Sequence, residues 1–217
     1  LIYTSQEIRK LLKVYFIMGS TNCFKDPKEV LEEAIKGGIT LFQFREKGTG
    51  ALQGEEKLTL AKELQAICKE NSIPFIINDD LDLALTLDAD GIHIGQDDGD
   101  IVETRKLIGD DKILGVSVHS EEEAVLAKLS GADYFGIGPV FPTSTKEDAK
   151  PARGSVLIEE LLKREIHVPI VGIGGITPAN AGTVMASGAD GVSVITAISH
   201  ADSPLQTARE LKSICIK

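Results

Sequence analysis

At 217 residues the chain can bury one sizeable core, and 42% hydrophobic with 26% charged residues describes an ordinary soluble globular domain. No linker or shift in composition divides residues 1–217, so a single domain is expected. The formal net charge of -10 argues against a nucleic-acid or anionic-membrane surface, and any cations for an anionic ligand must then be local.

Thr4-Ser5-Gln6-Glu7 has the spacing of a capping box and opens a short helix over residues 5–12. A first strand over 14–19 is followed by a helix with Asp26-Pro27 at its start and Gly37-Gly38 at its end. Residues 40–44 are β-branched and aromatic, the mark of a strand, and Gly48-Thr49-Gly50 stops the run. A helix is expected over 55–70, a strand over 74–79, a short helix over 81–87 and a strand over 91–96. Next come a helix over 101–108, a strand over 113–119 and a helix opened by Ser120-Glu121-Glu122-Glu123, with acids in its first turn. After a strand over 134–140, a long loop rich in Pro, Thr and Lys leads to a helix over 156–163. A strand over 169–175, a helix capped by Thr177-Pro178, a strand over 191–196 and a helix over 203–214 complete the chain.

Eight apolar strands alternating with helices indicate a parallel sheet covered by helices. A repeat favours closure into an α/β (β/α)8 TIM barrel. Asp88-Ala89-Asp90-Gly91, Gly131-Ala132-Asp133-Tyr134 and Gly188-Ala189-Asp190-Gly191 precede strands four, six and eight, and Lys36-Gly37-Gly38-Ile39 precedes strand two. These glycines read as helix ends. An open doubly wound sheet is the alternative, but no Gly-x-Gly-x-x-Gly follows strand one. In a barrel the chemistry belongs to the loops after the strands.

Strand two ends in Gln43-Phe44-Arg45-Glu46-Lys47, where alternation puts Gln43, Arg45 and Lys47 on one face. An amide and two cations there suit a multiply charged anion such as a diphosphate. Strand three ends in Asn78-Asp79-Asp80, with Asp80 the expected helix cap, and Asp97-Asp98 follows strand four. A carboxylate from each end suits Mg²⁺ held mostly by substrate phosphates and water; solvated loop acids are the equal alternative. Ser117, His93 and His119 sit within strands, where filler and hydrogen-bonded structural roles are the commoner ones. Pro142-Thr143-Ser144-Thr145-Lys146 is either a polar surface loop or a lid over bound phosphates. Gly172-Ile173-Gly174-Gly175 and Val194-Ile195-Thr196 occupy the strand ends where barrels often bind phosphate. No nucleophilic triad and no His cluster with metal-ligand spacing stands out. The three cysteines (Cys23, Cys68, Cys215) are widely spaced and read as reduced thiols of a cytoplasmic protein.

In this order the chain resembles the thiamine-phosphate synthases. The resemblance runs through residues 43–47, Asn78-Asp79, Gly91 to Gln96 with Asp98, Leu114 to Ser117, Gly138-Pro139, residues 143–146, Gly172 to Ile176 and Gly191 to Thr196. It implies a TIM barrel that joins a hydroxymethylpyrimidine diphosphate to a thiazole phosphate, with Mg²⁺ as cofactor and pyrophosphate released. It implies that the whole stretch Gln43, Phe44, Arg45, Glu46 and Lys47 binds substrate with Asn78, Ser117 and Lys146. Asp79 and Asp98 would hold Mg²⁺. Thr143, Ser144, Thr145, Gly175, Ile195 and Thr196 would hold the thiazole phosphate. Arg45, Lys47, Ser117 and Lys146 would be catalytic, aiding a dissociative departure of pyrophosphate. Thr196 stands where the family commonly has Ser and keeps the hydroxyl. The implied partners are these small molecules, with no nucleic acid or membrane, and a homo-oligomer is compatible with the sequence. A thiazole tautomerase on the same fold and a non-catalytic thiamine-precursor-binding protein are the alternative readings; the first has no use for this set of charges.

Overall fold

A computed structural model describes residues 3–143 and 154–216. The strands are β1 (Val14–Met18), β2 (Leu41–Phe44), β3 (Phe75–Asn78), β4 (Gly91–Ile94), β5 (Ile113–Val118), β6 (Tyr134–Ile137), β7 (Ile170–Ile173) and β8 (Gly191–Val194). All pair in parallel in chain order and β8 closes on β1, so the sheet is a closed eight-stranded barrel without an edge. Before it comes α1 (Ser5–Leu11); between strands come α2 (Pro27–Gly37), α3 (Gly54–Glu70), α4 (Leu81–Thr86), α5 (Ile101–Ile108), α6 (Glu121–Leu129), α7 (Gly154–Lys163) and α8 (Ala181–Ala186). The chain ends with α9 (Thr196–Ser199) and α10 (Pro204–Cys215). No described helix is long and apolar enough to cross a membrane.

Each strand turns alternate side chains outward and inward, giving two cores. The outer one packs strand residues such as Phe16, Phe42, Phe44 and Phe75 against the helices. The inner one fills the barrel with Tyr15, Ile17, Leu41, Ile76, Ile113, Tyr134 and Val171, joined by Ile8 and Leu12 of the N-terminal segment. Ile8 and Leu12 are 2% and 0% exposed, so α1 covers one end of the barrel and leaves the other end for a site. The capping box expected at Thr4 and Glu7 starts this helix.

The repeated Gly-Ala-Asp does more than end helices. Asp90, Asp133 and Asp190 accept the backbone N–H groups of Phe75, Leu114 and Ile170, at the start of the preceding strand, at 2.8 to 2.9 Å. Thr40, which follows Gly38-Ile39 where the other repeats carry Asp, accepts from Val14 N at 2.8 Å. Even-numbered strands thus cap odd-numbered ones, and the twofold period of the sequence becomes a fourfold pattern around the barrel. Arg9 and Arg105 neutralise two of the carboxylates, Asp190 and Asp133. We predict that Asp133→Ala lowers stability by about 1–3 kcal/mol in chemical denaturation, because Arg105 loses a part-buried partner and Leu114 N–H its acceptor. A loss under 1 kcal/mol would refute this role.

Two local expectations fail. Thr177-Pro178 does not cap α8: the chain turns first, Thr177 N donates to Asn180 Oδ1 at 2.8 Å, and the helix starts at Ala181. The last strand ends at Val194, and Thr196 opens the short helix α9.

Candidate active site

The uncovered end of the barrel holds a cavity of about 540 Å³, lined from the ends of β2 through β8. Arg45, Lys47, Asn78, Asp79, Asp98, Ser117, Thr143, Gly175, Ile195 and Thr196 all line it. Of the remaining sequence-derived site residues, Ser144, Thr145 and Lys146 lie outside the described residues.

Arg45 follows β2 immediately. Its N–H donates to Met18 O at 2.9 Å, and a Cβ at Gly19 would lie 2.1 Å from its carbonyl oxygen, so the close approach of these two strand ends requires glycine at position 19. Arg45 is only 9% exposed and forms no ion pair among the described residues. A buried, permanently charged guanidinium without an anion is costly, and the cavity is where the missing anion belongs.

Glu46 and Phe44 are placed differently from the expectation that the whole stretch binds substrate. Neither lines the cavity. Glu46 accepts bonds from Ser20 N, Ser20 Oγ and Leu52 N at 2.5 to 2.8 Å, lashing the loops after β1 and β2 together. Phe44 is 1% exposed in the outer core and stacks on Phe75, because strand alternation turns it toward the helices. Gln43 shares the inner face with Arg45 but lies beneath the lining, 1% exposed, where its Nε2 donates to Tyr15 Oη at 2.6 Å.

The consecutive acids after β3 divide their work. Asp80 accepts from Leu83 N as the cap of α4 and pairs with Lys57 at 2.6 Å. Asp79 takes a left-handed backbone conformation (φ 61°), one that Asp and Asn adopt more readily than most residues, and faces the cavity. Its Oδ2 accepts from Asn78 Nδ2 at 2.7 Å and Lys47 Nζ at 2.9 Å. The same ammonium lies 3.4 Å from Asp98 Oδ1, while Asp98 Oδ2 accepts from Gly95 N at 3.2 Å. The hydrogen bond that Lys47 donates to Asp79 leads the effects that raise its ammonium above its ordinary pKa; partial burial opposes it.

Two carboxylates converging on one cation are a donor set that fits Mg²⁺, which takes one or two protein carboxylates and completes its shell with phosphate and water. Among the described residues no group of three or more His, Cys, Asp or Glu side chains is arranged for a metal, so the share of such a site that these residues would supply is Asp79 and Asp98.

Across the cavity, Gly174 (φ 101°) and Gly175 (φ 63°) carry the chain in a turn that packs on Pro139 and Phe141. Asn180 braces it by donating from Nδ2 to Gly175 O at 2.9 Å. The N-terminal N–H groups of α9, which lack acceptors within the helix, come from the adjoining Thr196 and Ala197, both cavity residues. Glycine turn and helix start together form a surface suited to phosphate.

Four participants escaped the sequence reading. Ser193 of β8 lines the cavity and is 2% exposed, and its Oγ has no hydrogen-bond partner among the described residues. Gln96 holds the backbone at Ser117 by donating to its carbonyl at 2.6 Å. Tyr15 and Tyr134 look like core aromatics in sequence, yet their hydroxyls meet at 2.8 Å inside the barrel.

Comparison with known proteins agrees with this architecture. The profile of the family described as thiamine monophosphate synthase matches residues 14–198. A thiamine-phosphate synthase of Bacillus cereus (strain 03BB102) is 58% identical over 208 residues, covering 96% of this chain and 94% of its own. One from Bacillus thuringiensis (strain Al Hakam) is 59% identical over 205 residues, covering 94% and 93%. The solved structure of a thiamine phosphate pyrophosphorylase from Pyrococcus furiosus superposes with a TM-score of 0.85 at 35% identity, covering 96% of this chain and 97% of that one.

Proposed function

The chain belongs to the thiamine monophosphate synthase family and is a transferase, and from that premise we propose its reaction and the roles of its residues. It condenses 4-amino-2-methyl-5-hydroxymethylpyrimidine diphosphate with 4-methyl-5-(2-phosphoethyl)thiazole, giving thiamine phosphate and pyrophosphate, and it works in the cytoplasm. The observation that carries the assignment of the diphosphate is the guanidinium of Arg45, without an ion pair among the described residues and buried at the cavity wall beside Lys47.

Arg45 and Lys47 bind the diphosphate and hold its charge as the bond to the pyrimidine methylene breaks. Mg²⁺ held by Asp79 and Asp98 would add neutralisation of the leaving pyrophosphate. The aminopyrimidine ring stabilises the methylene cation, which the thiazole nitrogen captures. Such a path needs no protein nucleophile, and where the cavity does pair a serine with a histidine, Ser117 Oγ 2.9 Å from His93 Nε2, the other ring nitrogen meets the phenol of Tyr134. The turn at Gly175, with Ile195, Thr196 and Thr143, receives the thiazole phosphate and so orients its ring nitrogen.

A product assay by mass spectrometry tests the reading. Purified protein with both substrates and Mg²⁺ is expected to form thiamine phosphate, and excess EDTA to abolish it. Product that persists in EDTA would remove the metal role but keep the reaction, and no product from folded protein would overturn the reaction itself. Lys146 belongs to the same charge-stabilising set by resemblance. Lys146→Ala is expected to lower kcat by about 10²- to 10³-fold with an unchanged unfolding midpoint; unaltered turnover would remove Lys146 from that set.

A further inference from the structure

A line of polar side chains crosses the barrel, from beneath the cavity to His93 and Ser117 in its wall. Gln43 Nε2 donates to Tyr15 Oη at 2.6 Å, and Tyr15 Oη lies 2.8 Å from Tyr134 Oη. Tyr134 Oη lies 2.9 Å from His93 Nδ1, and His93 Nε2 lies 2.9 Å from Ser117 Oγ. Both tyrosines are fully buried, at 1% and 0% exposure, in an otherwise aliphatic barrel interior. Their rings meet edge to face at 5.9 Å, and the His93 ring lies 5.5 Å from that of Tyr134.

The barrel is shaped around this line. A Cβ at Gly115 would come within 2.1 Å of the Tyr134 ring and 2.5 Å of His93 Nδ1, and one at Gly136 within 3.0 Å of His93 Cε1. Any other residue at Gly115 would displace both rings. A buried polar chain with room cleared for it is not filler: each hydroxyl must find partners, or the whole set is more costly than an apolar core.

We infer that Tyr15, Tyr134 and His93 form a polarised hydrogen-bond relay that runs from the buried amide of Gln43 to the hydroxyl of Ser117, making these three residues positioning residues for the substrate contact of Ser117 at the cavity wall. The inference rests on the proposed reaction, in which the diphosphate substrate occupies this cavity. Its direction follows from counting protons. An amide nitrogen only donates, so Tyr15 receives at its oxygen and gives its own proton to Tyr134. Tyr134 gives its proton to His93 Nδ1, which must therefore be unprotonated. A neutral imidazole then carries its hydrogen on Nε2 and donates it to Ser117 Oγ. Ser117, having accepted, turns its own hydrogen toward the cavity that it lines. Burial, the largest influence on both phenols, raises their pKa values, so each stays an O–H able to accept once and donate once.

Only the Ser117 end of the line reaches the cavity, and there the hydroxyl is left as a donor. A ligand with an acceptor at that position matches the relay, and a ligand with a donor there would have to reverse every proton in it. The relay thus discriminates between ligands by polarity, in addition to shape.

Two measurements test this. Nitrogen NMR of histidine-labelled, ligand-free protein, with the His93 signals assigned through His93→Gln, is expected to show an unprotonated Nδ1 and a protonated Nε2; the opposite tautomer would overturn the relay's direction. This readout needs no substrate, so it stands apart from failure of the proposed reaction, which would appear as no product from the wild-type protein. In kinetics, Tyr134→Phe is expected to lower kcat about 10-fold, as for loss of one hydrogen bond, with KM for the diphosphate little changed. In a Ser117→Ala background the same substitution should cost nothing further, because it acts through the hydroxyl already removed. If the two losses multiply instead, Tyr134 acts only as packing and the relay is wrong.

Discussion

Arg45→Met is expected to lower kcat/KM by about 10²- to 10³-fold, the usual cost of removing one preorganised contact to developing negative charge, while leaving the protein as stable as before or more so. The two effects have one cause. Arg45 is 9% exposed without an ion pair among the described residues, so its charge is desolvated without a counter-ion among them, and an anionic ligand in the cavity would offset it. Methionine keeps the unbranched stem, fills much of the same volume and brings no charge to bury. If removing the charge yields about 1 kcal/mol, Tm should rise by about 2–4 °C in a domain of this length. Pyrophosphate gives the control: it should raise the Tm of the wild-type protein, through binding to the native state, and do so far less for the variant. A variant that unfolds early, or that keeps wild-type turnover, would show that Arg45 is a structural cation.

How much of this was legible in the chain depends on which interaction carries each feature. Strands and helices follow from apolar runs and caps, which are local, and Asp26, Asp80, Ser120 and Ser203 cap the helices that follow them. Every strand end except that of β2 falls one to three residues short of the expected one, since a polar residue beyond the last ladder bond looks the same in sequence as one within it. Closure of the barrel was indicated by the Gly-Ala-Asp period, but the bonds its carboxylates make to the neighbouring strand join residues 15 to 20 apart and need the fold to be seen.

The site was legible where chemistry is concentrated in sequence and illegible where it is assembled across the barrel. Arg45, Lys47, Asp79 and Asp98 stood out because charge at an apolar strand's end has few structural uses. Alternation along β2 placed Arg45 and Lys47 correctly and should also have excluded Phe44, which it turns into the outer core. Glu46 is different: its partners Ser20 and Leu52 lie on other loops, so nothing nearby in sequence marks it as a brace. Tyr15 and Tyr134 are 119 residues apart, and each alone is one more aromatic in a buried strand.

Asp79→Asn and Asp98→Asn should each lower turnover by about 10²- to 10³-fold and raise the Mg²⁺ concentration needed for half-maximal rate. Asparagine suits this test because it tolerates the left-handed backbone at Asp79 and retains an oxygen, so the change is one of charge more than shape. If both carboxylates serve one ion, the double variant should be little slower than either single one, as expected of residues that act as a unit. Solvated loop acids would instead leave each variant within about 2-fold of wild type. Lys47 sharpens the test. Its ammonium sits 2.9 Å from Asp79 and 3.4 Å from Asp98, where it competes with any other cation in the ligand-free protein, yet the proposed reaction uses it on the diphosphate. Lys47→Met should therefore bind Mg²⁺ more tightly by calorimetry without substrate, and turn over more slowly with it. Both shifts are needed. Weaker Mg²⁺ binding in that variant would mean that Asp79 and Asp98 serve to hold Lys47 in place, with the metal bound elsewhere or by substrate alone.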